Sequence, residues 1–345
     1  MEFNRLSERF QEFAETECKG SSELYKELSL HIAKDRTVLE LCMEAQQDQP
    51  TPNLLLGSVH YLLQKGVDHN LKYYYPSIVD EPKRDGQLFQ VFKEFCLEHH
   101  QKIKDLLQHK LVQTNEVRRC AYLFPVFSYI YQQTGKPLSF IEIGTSAGLQ
   151  LLFDQYAYSY GSADIYGKKD SSVHLQSEVR EGKLPDHLLN QVPPVHERIG
   201  VDLHVSDLTN DEERLWLKAL IWPEHTDRLR NFEDAAEELQ KNPPVLREGD
   251  GVALLPDIAE GISTDTSLCI FHTHVANQLP EDVKKELLQQ VEEIGEKREV
   301  FHIHNNMEDR QLHIDCISNG NYQKETVGET DGHGRWFDWK VEHYD

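Results

Sequence analysis

Phe140-Ile141-Glu142-Ile143-Gly144-Thr145-Ser146-Ala147-Gly148-Leu149 reads as a short buried strand, a glycine-containing turn and a helix opening at Ala147. An acid closes the strand and two glycines follow it. Glycine lets a backbone turn sharply and approach a ligand. The free N–H groups at a helix start face whatever is bound. Glu142 can accept hydrogen bonds from a ligand amine or hydroxyl. The same letters, Gly144-Thr145-Ser146-Ala147-Gly148, also spell G-x-S-x-G, the nucleophile elbow of serine hydrolases. The turn therefore either cradles a cofactor or presents a nucleophile.

Upstream, everything to about residue 134 reads as helix. Phe3, Leu6, Phe10 and Phe13 recur at helical spacing, as do Leu24, Leu28 and Ile32. Gly135-Lys136-Pro137 marks a boundary, and the quoted strand follows at once. Downstream, strands are expected at 197–202, 245–248, 267–273 and 299–304. Helices are expected at 147–157, 209–241 with a break, 253–259 and 280–297. Residues 160–180 read as irregular or hairpin. Two last strands, about 311–317 and 335–342, lack a helix between them and suggest an antiparallel C-terminal hairpin. The fold class is α/β, with a mostly parallel sheet preceded by an all-helical N-terminal region. The expected division is 1–135 as a helical lid or wall and 136–345 as the α/β domain, with a cleft between them.

The hydrolase elbow normally lies inside its sheet, behind an oxyanion loop. Here the motif strand is the first of the sheet and no such loop precedes it. A cofactor turn belongs after a first strand, so position favours the cofactor. Downstream acids agree. Asp202 ends the second expected strand, where a ribose hydroxyl is usually held, and Asp250 lies in the turn after the third.

This series resembles the class I S-adenosylmethionine-dependent methyltransferases. The resemblance implies a methyltransferase-like, Rossmann-type sheet with Glu142, Gly144, Ser146, Gly148, Asp202 and Asp250 around S-adenosylmethionine. Two features depart from it. Ser146 replaces the middle glycine, and Asp202 lies about 60 residues beyond Glu142 where roughly 20 is usual. A closer resemblance is to the bacterial domain of unknown function 2332. It rests on Pro52 to Leu56, Tyr75-Pro76-Ser77, Arg118 to Ala121, Glu142 to Gly161 and Arg198 to Leu203. It continues through Leu220 to Glu224, Phe271-His272-Thr273 and His333-Gly334-Arg335-Trp336.

Composition narrows the partners. The 345 residues carry a formal charge of -23, which argues against a nucleic-acid backbone and suits a small-molecule substrate. No apolar run reaches the roughly 18 residues of a membrane span. Six scattered cysteines without C-x-x-C or an export signal read as reduced thiols of a cytoplasmic protein. The sequence leaves the oligomeric state open.

His272 is the candidate general base, at the end of a central strand. Tyr75, Arg119, Arg335 and Trp336 are candidate substrate contacts. Of 18 histidines, His272-x-His274 and His302-x-His304 fall on strands expected to be neighbours. No cysteine or carboxylate spacing supports them, so no metal is assigned. The leading expectation is methyl transfer to a small molecule. The alternatives are a hydrolase acting through Ser146, with partners from Asp202, Asp250, Asp257, His272 or His333, and a ligand-binding member of the fold without catalysis.

Overall fold

In the computed structural model, residues 2–47 and 49–341 are described, and they form two compact units. One comprises 1–114 and 209–230, the other 115–208 and 231–345. The division differs from a cut at 135/136: Asn115 to Gly135 goes with the sheet, and Thr209–Arg230 goes with the N-terminal helices.

The helical unit contains α1 (Glu2–Glu15), α2 (Glu23–Ile32), α3 (Arg36–Cys42), α4 (Thr51–Gln64), α5 (Leu88–Glu98) and α6 (His100–His109). Ser22 and Asp35 start α2 and α3 by accepting the N–H of Tyr25 and Val38. Aromatic packing recruits the later segment: the Trp222 ring lies 5.5 Å from Phe13 and 5.7 Å from Tyr25. Trp222 also donates to Asn53 Oδ1 at 3.2 Å. Glu224 accepts the Leu24 N–H at 2.8 Å. Two stretches that carry the family resemblance, around Asn53 and Trp222, thus meet inside this unit.

The second unit starts with α7 (Cys120–Thr134) and is built on a sheet of seven strands. These are β1 (Leu138–Ile143), β6 (Val195–Asp202), β7 (Val245–Glu248), β8 (Ser267–His272), β9 (Val300–His304), β10 (Gln311–Ser318) and β11 (Asn321–Glu329). Their order is β11-β10-β9-β8-β1-β6-β7. β7, β6, β1, β8 and β9 run parallel, and β10 is antiparallel to both β9 and β11. The chain leaves β1 to one side for β6 and later returns to the other side for β8. The strand order therefore reverses at β1, which is where open α/β sheets hold ligands.

Both faces of the sheet are covered. On one, Phe127 of α7 packs 4.6 Å from Phe140 and 5.4 Å from Phe271. On the other, Ile141, Ile143, Leu268, Ile270 and Val300 pack with α11 (Gly251–Gly261) and α12 (Glu281–Lys297). Burial on both sides explains why β1 and β8 read as continuous apolar runs rather than alternating ones.

Two expectations are corrected. The hairpin is β10 with β11, closed by Asn319 (φ 50) and Gly320 (φ 75). The 335–342 strand is instead β12 (Trp336–Trp339), which pairs in parallel with β5 (Glu178–Gly182) in a separate two-stranded sheet. The helix expected over 147–157 is a 3-10 segment, Leu149–Gln155, with non-helical backbone at Leu152. It ends at β2 (Ala157–Ser159), which with β3 (Tyr166–Gly167) and β4 (His174–Gln176) makes a small three-stranded sheet. That sheet lies within the insertion separating Glu142 from Asp202. No described helix is long and apolar enough to cross a membrane. Five of the six cysteines are buried, and all six are free thiols.

Candidate functional site

The turn after β1 is held by the polar groups the motif supplies. Glu142 accepts the Thr145 hydroxyl at 2.6 Å. The Ser146 N–H donates to Asp202 Oδ2 at 2.7 Å, and the His204 N–H donates to Asp202 Oδ1 at 3.0 Å. Asn115 clamps the turn from before α7: its amide donates to Ser146 Oγ at 2.9 Å and its Oδ1 accepts the Ala147 N–H at 3.2 Å. Ser146 takes φ 51, in the left-handed region. Its hydroxyl is bonded to Asn115 and to no histidine among the described residues.

The two glycines serve the protein's own packing. A Cβ on Gly144 (φ 74) would sit 2.5 Å from Val275 Cγ2, and one on Gly148 (φ 80) would sit 2.9 Å from Pro244 Cγ.

Glu142 is 2% exposed. Burial pushes its carboxyl up to about 8; the Thr145 hydroxyl opposes this, neighbouring Asp202 adds to it, and Arg119 offsets part of it. Neither Glu142 nor Asp202 makes an ion pair among the described residues. Asp250 is exposed and caps α11, accepting the Val252 N–H at 2.9 Å and the Ala253 N–H at 3.2 Å.

The register separates residues that the sequence had grouped. Glu142 lies opposite Phe271 on β8, so these two share a face. His272, one residue on, points to the other face with α11 and α12. It is fully buried, 3.1 Å from His302 through the two Nε2 atoms. Burial, aided by His304, pushes its imidazole down to about 3. It is not beside Glu142.

Arg119 is buried and directed at backbone: Nε donates to Gly332 O at 3.0 Å and Nη1 to Thr273 O at 3.2 Å. Thr273 in turn donates to Gln150 Oε1 at 3.0 Å. Arg335 forms a two-pronged bond to Asp331, at 2.9 and 2.8 Å. Trp336 stacks under the Arg180 guanidinium, 3.6 Å from the ring centroid. Tyr75 is buried in the helical unit, its ring 5.5 Å from His60. Arg119, Arg335 and Trp336 are thus engaged by the protein itself, whereas the buried Tyr75 hydroxyl has no hydrogen-bond partner among the described residues. Gly334 (φ 68) is required because a Cβ would meet Arg118 O at 2.5 Å. The Arg118-Arg119 and His333-Gly334-Arg335 stretches therefore pack on one another.

Four polar residues around the turn, Asn115, Thr145, Gln150 and Thr273, were not picked out in the sequence. Asn115 falls between the quoted stretches, just before Arg118 to Ala121, and Thr145 fills an unspecified position of the G-x-S-x-G pattern. Asp315 was also missed. It lies opposite His302 on β10, and with His302 and His304 it forms a group whose ligand atoms lie within 4.8 Å of one another.

No curated protein and no solved structure matches the chain. A family model matches residues 7–339, which takes in most of both units and every stretch on which the family resemblance rests. The chain belongs to the family described as "Uncharacterized protein conserved in bacteria (DUF2332)".

Proposed function

We propose that the α/β unit binds S-adenosylmethionine at the C-terminal ends of β1, β6 and β7, and that the chain directs its methyl group to a small molecule. The observation carrying this reading is Glu142. It is a buried carboxyl at the point where strand order reverses, with Asp202 near it and no ion pair to either among the described residues. A cationic ligand group there would draw Glu142 into its ionised form and gain a charge-assisted hydrogen bond.

The fit of the remaining residues is uneven in an informative way. The 3-10 segment behind Gly148 lacks the aligned N–H groups that hold a pyrophosphate. That counts against a dinucleotide and costs nothing to a ligand with an ammonium, a sulfonium and no phosphate. Glu142 would face the amino-acid end, Asp202 the ribose and Asp250 the adenine side. Asp202 already accepts two backbone N–H groups, and a carboxylate has about four acceptor sites.

When bound, the ligand supplies an electrophilic methyl group. The chain's part is to orient and desolvate it. His272 lies on the other face and has no role in this step. The net charge of -23 favours a small or cationic substrate over a polynucleotide.

Calorimetry with S-adenosylmethionine, S-adenosylhomocysteine, NAD and ATP tests the reading. The first two should bind and the last two should not. Glu142→Gln should weaken S-adenosylmethionine at least about tenfold, the order of a lost hydrogen bond to a charged group. No binding of either adenosyl ligand at millimolar concentration removes the reading.

A further inference from the structure

Along the face of the sheet covered by α11 and α12, apolar residues give way to polar ones near the ends of β8 and β9. Ile270, Val300 and Ile317 belong to the apolar core. Beyond them come His272, His302, His304, His313 and Asp315, all 4% exposed or less. Register places them side by side: His272 opposite His304, His302 opposite Asp315, and His304 opposite His313. Five titratable side chains in one buried patch need a physical reason, because buried polar groups are costly unless satisfied.

Hydrogen bonding satisfies only part of the patch. His313 is settled: Nε2 bonds Asp309 Oδ1 at 2.8 Å and Nδ1 bonds the Thr326 hydroxyl at 3.2 Å. Tyr322 donates to Asp315 Oδ2 at 2.5 Å, and His304 Nε2 lies 3.0 Å from the same oxygen. Asp315 Oδ1, His304 Nδ1 and His272 Nδ1 are buried without a partner.

We propose that His302, His304 and Asp315 bind a divalent first-row transition metal ion, with His272 beside them. Two imidazoles and one carboxylate are the donor set of zinc and non-haem iron sites. Bonds of about 2.0–2.2 Å place neighbouring ligand atoms roughly 3.3 Å apart around a tetrahedral ion. The three ligand atoms here, within 4.8 Å of one another, need only small side-chain rotations to close on one. The ion takes the place of the proton shared between His304 and Asp315. The Tyr322 hydroxyl then holds the ligating carboxylate in position, as outer hydrogen bonds do in metal sites. Strands rather than loops carry all three ligands, so the site is rigid.

The full-length protein, stripped with chelator and desalted, is titrated with zinc chloride, and bound metal is measured by elemental analysis. Cobalt(II) in place of zinc reports the ligand field through its visible absorption. The wild type should hold about one ion per chain, with a raised melting temperature and a cobalt band. Asp315→Asn, which keeps size and shape, should bind at least about tenfold more weakly, the scale of outer-ligand losses or greater. Tyr322→Phe should retain the ion with reduced affinity, and His313→Asn should bind as the wild type does. His304→Gln provides a second ligand variant should Asp315→Asn fail to fold. The proposal is overturned if the folded wild type takes up neither ion. It is equally overturned if a folded ligand variant keeps stoichiometric metal and an unchanged cobalt band, because the ion then lies elsewhere.

Discussion

Asp202 at the end of β6 accepts the backbone N–H of Ser146 at 2.7 Å, fastening the turn after β1 to the neighbouring strand. The acid named for a ligand's ribose is therefore also a structural acceptor for a buried turn. Asp202→Ala should destabilise the protein by about 1.5–3 kcal/mol, because it strands the Ser146 donor. Asp202→Asn, which keeps one acceptor oxygen, should lose less. Urea unfolding midpoints of the two variants check this, and equal midpoints for Asp202→Ala and wild type would show that the bond contributes nothing.

Glu142 makes stability depend on pH. Its folded value, about 8, lies above the ordinary 4.5, so the folded chain holds a proton that the unfolded chain has released. The protonated form's advantage is complete below about pH 4.5 and is lost as pH rises toward 8. Stability should fall across that window with a slope approaching about 1.4 kcal/mol per pH unit. Glu142→Gln should flatten this component. Unfolding free energies of both proteins at pH 5, 6.5 and 8 decide it; parallel curves would mean that Glu142 is ionised in the fold.

Ser146 should remain unlabelled by a fluorophosphonate probe. Its hydroxyl accepts from Asn115 at 2.9 Å, and no described histidine is bonded to it to take its proton. Stoichiometric labelling that disappears in Ser146→Ala would promote the hydrolase reading instead.

Gly144→Ala should cost at least about 2 kcal/mol, since it adds left-handed strain to a collision with Val275 Cγ2 at 2.5 Å. Adding Val275→Ala removes the collision and leaves the strain. The double variant should therefore recover part of the loss relative to its Val275→Ala parent. Full recovery would mean that φ 74 carries no penalty here.

The parallel part of the sheet was legible because β1, β8 and β9 are compact apolar runs, each closed by a turn. The hairpin was misplaced although its signal was present: Asn319-Gly320 is a two-residue hairpin turn sequence. Asn321–Glu329 reads as polar because it is an edge strand whose first residues face solvent. The helix after Gly148 failed because nothing in the periodicity reveals the break at Leu152. The face of each site residue depended on register. Glu142 lies one residue before the end of β1 and His272 ends β8, and only the pairing of Glu142 with Phe271 puts them on opposite sides. Asp315 joins His302 through an antiparallel pairing that spacing along the chain cannot express.

The two rims of the seven-stranded sheet share a property that bears on how these molecules behave in a crowd. β7 has four residues, directly follows Pro243-Pro244 and carries Arg247 and Glu248. β11 presents Lys324 and Glu325 along the other rim. At β7 short length and adjacent prolines, and at the longer β11 neighbouring opposite charges, discourage a second chain from adding its own strand. Mutual repulsion from a charge of -23 acts in the same sense. Seven strands thus end in rims that resist polymerisation, and at β11 part of the edge is already taken, since Val327 O accepts the Lys340 N–H at 2.8 Å.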